Sequence, residues 1–271
     1  GFVEMAVQRQ PDTQVHCVLA DGTVAVLLFD VQDEVAAWWR IETDGEIESV
    51  CILPGDLEDR VYYSVKRTIN GSTVRFLERM ALRTQCEGRP AARHADSHVV
   101  YAGVSTATIT GLSHLEAETV VAWGWDNSDT SGTDLSTYTV TGGQITLSEA
   151  VQNACVGLTY TAQFKSAKLA YAAQQGSALT RKKRIGQLGL ILLNTHYQGI
   201  QFGSDFTTMD RTSPVSEGSA ISTSTVFETY DEPMEGFRGE WDTDTRLCLQ
   251  AAAPRPCTVM AAVLDMTTNE S

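Results

Sequence analysis

The sequence predicts an all-β protein, built as an antiparallel meander of propeller-like or sandwich type together with a small β-barrel. Three patterns indicate this class. Apolar and polar residues alternate in short runs, as they do in half-buried strands. Tight-turn dipeptides separate many of these runs, as at Asp21-Gly22 and Asn70-Gly71. Long stretches with the spacing of an amphipathic helix do not occur, so strands have to supply the core.

Residues 1–83 are predicted to form the meander, as the end of a larger β domain. Asp-Gly and Asn-Gly suit two-residue turns because both central residues reach positive φ at low steric cost. The segment from Val31 to Arg40 fits either a strand or a short helix. The three predicted hairpins are Gln14–Ala20 with Thr23–Phe29, Trp38–Thr43 with Glu46–Leu53, and Arg60–Arg67 with Thr73–Met80.

Two further β regions follow a connector at residues 84–97, where few residues are suited to a core. Residues 98–165 are predicted to form the small barrel, because six short strands fall within about 70 residues. Residues 166–271 are predicted to be a sandwich segment that completes the first β domain. Its strands are Arg184–Leu193, Gln198–Gly203, Thr245–Ala251 and Cys257–Met266, and residues 205–227 are predicted to be a polar loop.

Composition and charge exclude several classes of function. The chain has 271 residues, 42% of them apolar, and its 34 Asp and Glu against 20 Lys and Arg give a formal charge of −14. Because binding to a phosphate backbone needs clustered cations, we expect no specific nucleic-acid binding. No apolar run approaches the ~20 residues needed to span a bilayer, so we expect no membrane anchor. The start at Gly1, without an initiator Met or a leader pattern, indicates a fragment or a processed product.

Three groups of side chains are candidates for chemistry, and each also has a structural interpretation. Cys86, His94 and His98 have the residue types of a zinc site but lack a nearby fourth ligand, which favours a polar connector. The segment 126–132 is similar to a calcium loop but has Ser131 and Thr137 where Gly and Glu are required, which favours a solvated hairpin tip. Carboxylates at 240, 242 and 244 flank Trp241 and suit either glycoside hydrolysis or a wet surface.

The other expected features are absences. The six cysteines form no Cys-x-x-Cys pair, and we expect them to be reduced. The sequence has no GxGxxG or Walker loop and no Gly-x-Ser-x-Gly elbow, so we expect no cofactor and no catalytic centre.

The densest basic run is Arg181, Lys182, Lys183 and Arg184. Its structural interpretation is a charged beginning of an edge strand that discourages unwanted pairing. Its functional interpretation is contact with the acidic surface of a neighbouring subunit, or contact with DNA. We favour the contact between subunits.

Several segments resemble the tail nozzle, or tail tubular B-type, proteins of short-tailed phages and related prophages. These segments are residues 7–23, Arg67–Gly71 with Arg75–Glu78, Gly239–Asp242 and Pro254–Cys257. Residues 109–120 and Val156–Thr161 resemble the small inserted β-barrel of that family, which is similar in shape to the first catalytic-cysteine half-domain of ubiquitin-activating enzymes. No adenylation domain accompanies the barrel, so the likeness does not imply ubiquitin activation.

The resemblance implies a virion structural protein that assembles in the host bacterial cytoplasm. Its copies would form a ring, sixfold in this family, that contacts other tail or portal-adaptor proteins and lets DNA pass without specific binding. We weigh two other classes: a carbohydrate- or receptor-binding module of a tail tip, which exposed Trp123 and Trp125 would support, and a cell-wall hydrolase that uses Asp242.

Overall fold

The protein is all-β, as predicted, with 62% of residues in strands and 3% in helices. The structure is a computed structural model. It describes residues 1–32, 34–86, 90–125, 131–170, 172–173, 176–177, 180–216, 218–231 and 234–269. Within these ranges, no helix has the length and apolar character needed to cross a membrane.

The N-terminal region is a two-sheet sandwich. The first sheet has the order β1-β2-β3-β4 and the second the order β5-β6-β7, and all of their ladders are antiparallel. Their strands are β1 (Phe2–Gln8), β2 (Gln14–Leu19), β3 (Val24–Asp30), β4 (Val35–Ile41), β5 (Glu46–Leu53), β6 (Arg60–Ile69) and β7 (Ser72–Arg79). Alternate residues of both sheets meet in one core made of Val18, Val24, Val26, Ile47, Val50, Val61, Tyr63 and Val65.

Two of the three predicted hairpins are confirmed, at Asp21-Gly22 and at Asn70-Gly71. The hairpin at Asp44-Gly45 is wrong, because β4 pairs with β3 and β5 pairs with β6. The chain crosses here from one sheet to the other, with Gly45 at a φ of 150°. A Cβ at Gly45 would lie 2.6 Å from the carbonyl oxygen of Lys66, so only glycine fits this crossing. The open choice at 31–40 is decided in favour of a strand at Val35–Ile41.

The middle region is one curled antiparallel sheet with the order β10-β9-β11-β8. It follows a short helix, α1 (Arg83–Cys86), and contains a 3-10 turn at Ser113–Leu115. Its strands are β8 (Asp96–Thr110), β9 (Thr119–Trp125), β10 (Gly132–Thr139) and β11 (Gln144–Leu158). The concave side holds a core that includes Ile109, Leu115, Val120, Ile145 and Val156. Among the described residues the ladders do not close, so the predicted closed barrel is corrected to an open sheet.

The C-terminal region adds two more four-stranded sheets. Its strands are β12 (Thr161–Lys165), β13 (Ala172–Ala173), β14 (Gly176–Ser177), β15 (Lys183–His196), β16 (Gln201–Gly203), β17 (Asp210–Arg211), β18 (Val215–Ser216), β19 (Ser219–Ala220), β20 (Val226–Tyr230), β21 (Glu235–Gly236), β22 (Cys248–Ala252) and β23 (Thr258–Thr268). One sheet has the order β12-β22-β16-β17, and in the other β15 pairs with β20, β21 and β23. The predicted polar loop at 205–227 therefore contains short strands, and β12 pairs with β22 rather than with the middle sheet.

Ion pairs are among the polar contacts that join the regions. The Arg67 guanidinium on β6 donates to both oxygens of Glu78 on β7, at 2.8 and 2.7 Å, and to Asp96 at the start of β8, at 3.2 Å. The middle sheet is tied to the C-terminal region by the ion pair between Arg255 and Asp134, 3.0 Å apart. Since these contacts involve half-buried or buried side chains, they fix the positions of the exposed faces relative to one another.

Candidate interaction surface

The first sheet has an apolar face that points away from its core. Residues that pair directly across antiparallel strands lie on the same side of a sheet. The pairs Met5↔Cys17, Cys17↔Ala25 and Leu27↔Trp38 therefore place these side chains together, opposite the buried side that carries Val18, Val24 and Val26. We call this the outer face, and its apolar residues are Met5, Val7, Val15, Cys17, Ala25, Leu27, Phe29, Ala36 and Trp38. Arg40, which pairs with Ala25 across the ladder and forms an ion pair with Asp21, lies at one end of it.

Large parts of the outer face are open to solvent. Met5 is 62% exposed and Trp38 57% exposed, while Val7 and Phe29 are about half exposed. Four strands spaced by ~4.8 Å over about six or seven residues give a footprint of about 400 Å². The largest apolar patch on a typical soluble protein measures about 300–600 Å² and is often functional. The outer face is therefore the strongest candidate site in the described structure.

The sequence contains a pattern that indicates this face, and the prediction from alternating apolar and polar residues missed it. Val24-Ala25-Val26-Leu27-Leu28-Phe29 is apolar without interruption, and so is Val35–Trp39. Continuous apolar runs of strand length are typical of strands that are covered on both sides. In the described residues one side of β3 faces the sandwich core and the other is the outer face. β4 reaches this core only through Ile41, and its other residues are exposed on both sides.

The predicted basic run is divided by the fold. Arg181, Lys182 and Arg184 are exposed, but Lys183 has no exposed surface. Its ammonium group donates to the carbonyl oxygens of Arg181 and Thr243, at 2.8 and 3.1 Å. Burial is the first cause that lowers the pKa of Lys183. Lys183 is therefore corrected from a surface contact to a structural residue, because the Thr243 loop covers it. Whether the other three contact a partner stays a prediction.

Each of the three residues considered for zinc has a hydrogen-bond partner outside the group, and His94 also contacts the backbone of Cys86. His94 Nδ1 lies 3.2 Å from the Tyr160 hydroxyl, and His98 Nδ1 lies 3.0 Å from the carbonyl oxygen of Ala95. Burial lowers the pKa of both histidines. Across the described ranges, no group of three or more His, Cys, Asp or Glu residues is arranged to hold a metal ion. The calcium-like segment has residues 126–130 outside the described residues.

The acidic residues around Trp241 lie in an exposed turn and not on a strand. The Asp242 carboxylate accepts from the backbone N–H of Asp244 at 3.1 Å, and this bond is the first cause that lowers its pKa. The Asp244 carboxylate pairs with Arg246 at 2.9 Å. Each of these two carboxylates therefore caps or pairs locally, and they do not project from one face of a strand.

The tryptophans divide between core and surface. Trp123 is fully buried, and its indole N–H donates to the carbonyl oxygen of Pro90 at 2.6 Å. Trp125 packs partly buried beside Val121 and Cys155. The exposed Trp123 that a carbohydrate-binding barrel would need is therefore not present. Trp38, Trp39 and Trp241 are the exposed ones, and Trp38 lies on the outer face.

A broad cleft of about 1640 Å³ lies between the three regions. Trp39 and Ile41 from the first sheet line one side, and Phe164 and Gln250 line another. The Arg67 partners Glu78 and Asp96 lie on its wall. Both carboxylates pair with Arg67, so this acidic pair belongs to the joint between regions.

No protein-family model matches the chain, and no curated protein is significantly similar to it.

Proposed function

We propose that the chain is a structural subunit that works by assembling with its own copies. The observation that carries the proposal is the exposed outer face, with Met5 and Trp38 at its two edges. A half-exposed sheet of apolar side chains is stable in water when a protein partner covers it. Identical subunits are the commonest partners, because most soluble oligomers are homo-oligomers with closed symmetry.

The class of assembly that we propose is the tail nozzle ring of a short-tailed phage, sixfold as the sequence resemblance implies. In this role the chain is a virion protein assembled in the host cytoplasm, next to other tail or portal-adaptor proteins. Its role is structural, because rigid β-sheets form the wall of a channel through which the genome leaves. The all-β architecture and the joints between its regions suit a rigid wall.

The charge of the chain supports a channel that does not hold DNA. A surface with a formal charge of −14 repels a phosphate backbone, so a genome passes without sticking. This proposal places acidic residues on the channel wall. A channel found to be lined mainly by Lys and Arg contradicts it.

Sedimentation velocity at several concentrations tests assembly. We expect the unmodified chain to sediment as a defined oligomer. The double variant Met5→Ser with Trp38→Ser removes the two edges of the outer face, and we expect a dissociation constant raised at least about 30-fold, because buried aromatic anchors contribute about 2 kcal/mol or more.

Leu77→Ser is the matched control, since Leu77 is also strongly exposed but lies on β7 of the other sheet. It leaves the oligomer intact. A chain that remains monomeric at every concentration contradicts the proposed function.

A further inference from the structure

A second apolar face lies on β15 and β23. The pairs Gly189↔Val263 and Ile191↔Ala261 lie on the side opposite Leu190, which is in the core. Both Ile191 and Val263 are exposed, the latter by 52%. We call this the β15–β23 face, and it consists of Gly189, Ile191, Leu193, Ala261 and Val263. The Met234 side chain lies over Gly189 on this side, so the Ile191 and Val263 part is the open one.

The strand β23 is also an unprotected edge. Within the described part of the chain, β15 is its only strand partner. Its eleven residues hold one charged side chain, Asp265, and no Lys or Pro. Edge strands of stable monomers are protected by such residues, because an open apolar edge invites another chain. This edge and the face beside it are therefore built to be covered.

One end of the β15–β23 face is cationic. The Lys183 side chain points to the buried side, and successive side chains of an extended chain point to opposite sides. Lys182 and Arg184 therefore point to the exposed side. Arg184 pairs across the ladder with Thr267, near the C-terminal end of β23. The apolar residues Ile191 and Ala261 follow about 20 Å further along the strands.

The outer face has the opposite charge at one end. Residues 1–41, which contain the first sheet, hold six Asp and Glu against two arginines, so this segment carries a formal charge of −4. Asp12 lies in the β1–β2 turn, and Asp30 and Glu34 lie at the β3–β4 turn, at the same end of the first sheet. Phe29 and Val7, both apolar and exposed, lie directly beside this acidic end.

We propose that the β15–β23 face of one copy packs against the outer face of a second copy, with Lys182 and Arg184 beside Asp30 and Glu34. The apolar parts pack as two sheets face to face, and the charges at the ends set their direction. Because the two surfaces differ, each copy uses both, and the contact repeats around a ring or along a filament. This inference rests on the proposed function and names its interface.

Cross-linking between variants with one added cysteine tests which surfaces meet. Cys51 is exposed and Cys86 and Cys257 are partly exposed, so the background replaces these three cysteines by serine. Ala36→Cys places a thiol on the outer face and Val263→Cys places one on the β15–β23 face. With a short bismaleimide, we expect covalent dimers when the two variants are mixed, and not when either is treated alone.

The alternative outcomes are distinct. Dimers from Val263→Cys alone show that β23 meets its own copy, and this overturns the inference. An oligomer by sedimentation with no cross-link in the mixture also overturns it but leaves the proposed assembly standing. A monomer at every concentration overturns both.

A charge exchange tests the direction of docking. We expect Lys182→Glu to raise the dissociation constant of the oligomer about tenfold, because it places a carboxylate beside the acidic end. Adding Glu34→Lys restores most of the affinity. The control is Lys165→Glu, an exposed lysine on β12 that belongs to neither face, and it leaves the affinity unchanged. If Glu34→Lys gives no recovery, the proposed pairing of these ends is wrong.

Discussion

Arg67 is the side chain whose loss we expect to destabilise the protein most clearly. Its guanidinium is 1% exposed and donates to Glu78, Asp96 and the carbonyl oxygen of Asp44. Arg67→Met keeps the aliphatic part of the side chain and removes the charge. Two half-buried carboxylates and one carbonyl then lose their donor. Removing one partner of a buried ion pair costs about 3–5 kcal/mol, and because both carboxylates retain some solvent contact we expect about 3 kcal/mol.

The same region supplies a matched control for this prediction. Arg75 makes a similar forked contact with Glu48, at 2.8 and 3.0 Å, but it is 61% exposed. Pairs of this kind contribute at most about 1 kcal/mol, so Arg75→Met should have a small effect. Urea denaturation followed by circular dichroism gives the free energy of unfolding for each variant.

A double-mutant cycle of Arg67→Met with Glu78→Gln tests whether the loss of stability comes from the broken ion pair. In the Arg67→Met background Glu78→Gln removes one of the two unpaired carboxylate charges, so we expect it to recover part of the lost stability. If Arg67→Met costs no more than Arg75→Met, the guanidinium is not the joint that we describe.

Two further predictions concern buried groups. Burial lowers the pKa of His16 to about 4, so the folded chain binds this proton more weakly than the unfolded chain, whose pKa is about 6.5. Above about pH 6.5 His16 is neutral in both the folded and the unfolded chain, and the free energy of unfolding is highest. By pH 5 the unfolded chain binds the proton and the folded chain does not, so the free energy of unfolding falls by about 2 kcal/mol. Denaturation at pH 8 and pH 5 should show a smaller loss for His16→Gln, and an equal loss would contradict this. A Cβ at Gly132 would overlap the Trp123 ring, so Gly132→Ala should lower the free energy of unfolding by about 1–3 kcal/mol. Gly236 lies in open space, so Gly236→Ala should leave the melting temperature unchanged. Equal melting temperatures for the two variants would contradict the close packing at Gly132.

The turn dipeptides in the sequence correctly predicted two hairpins, because the conformation of a tight turn depends on its own residues. The turns at Asp21-Gly22 and Asn70-Gly71 join neighbouring strands in the structure because their residues adopt the required φ angles cheaply. The dipeptide at Asp44-Gly45 has the same chemistry but lies between the two sheets. Which strands pair is decided by how the two sheets share a core, and a turn dipeptide carries no information on that choice.

Other features depend on contacts distant in sequence. β8 and β11 each have 15 residues, but bulges interrupt their alternation, so the sequence pattern divided each into shorter pieces. Within the basic run, burial of Lys183 depends on Thr243, 60 positions away. The outer face could have been predicted from the sequence, because uninterrupted apolar residues in Val24–Phe29 indicate a strand that is covered on both sides.

Cryo-electron microscopy of the purified chain tests the central claim most directly. The account predicts closed rings of identical subunits in which the sheet that carries Trp38 lies against a neighbouring copy, with acidic residues lining the central channel. Isolated particles of single-chain size, with the Trp38 sheet facing solvent, would contradict it.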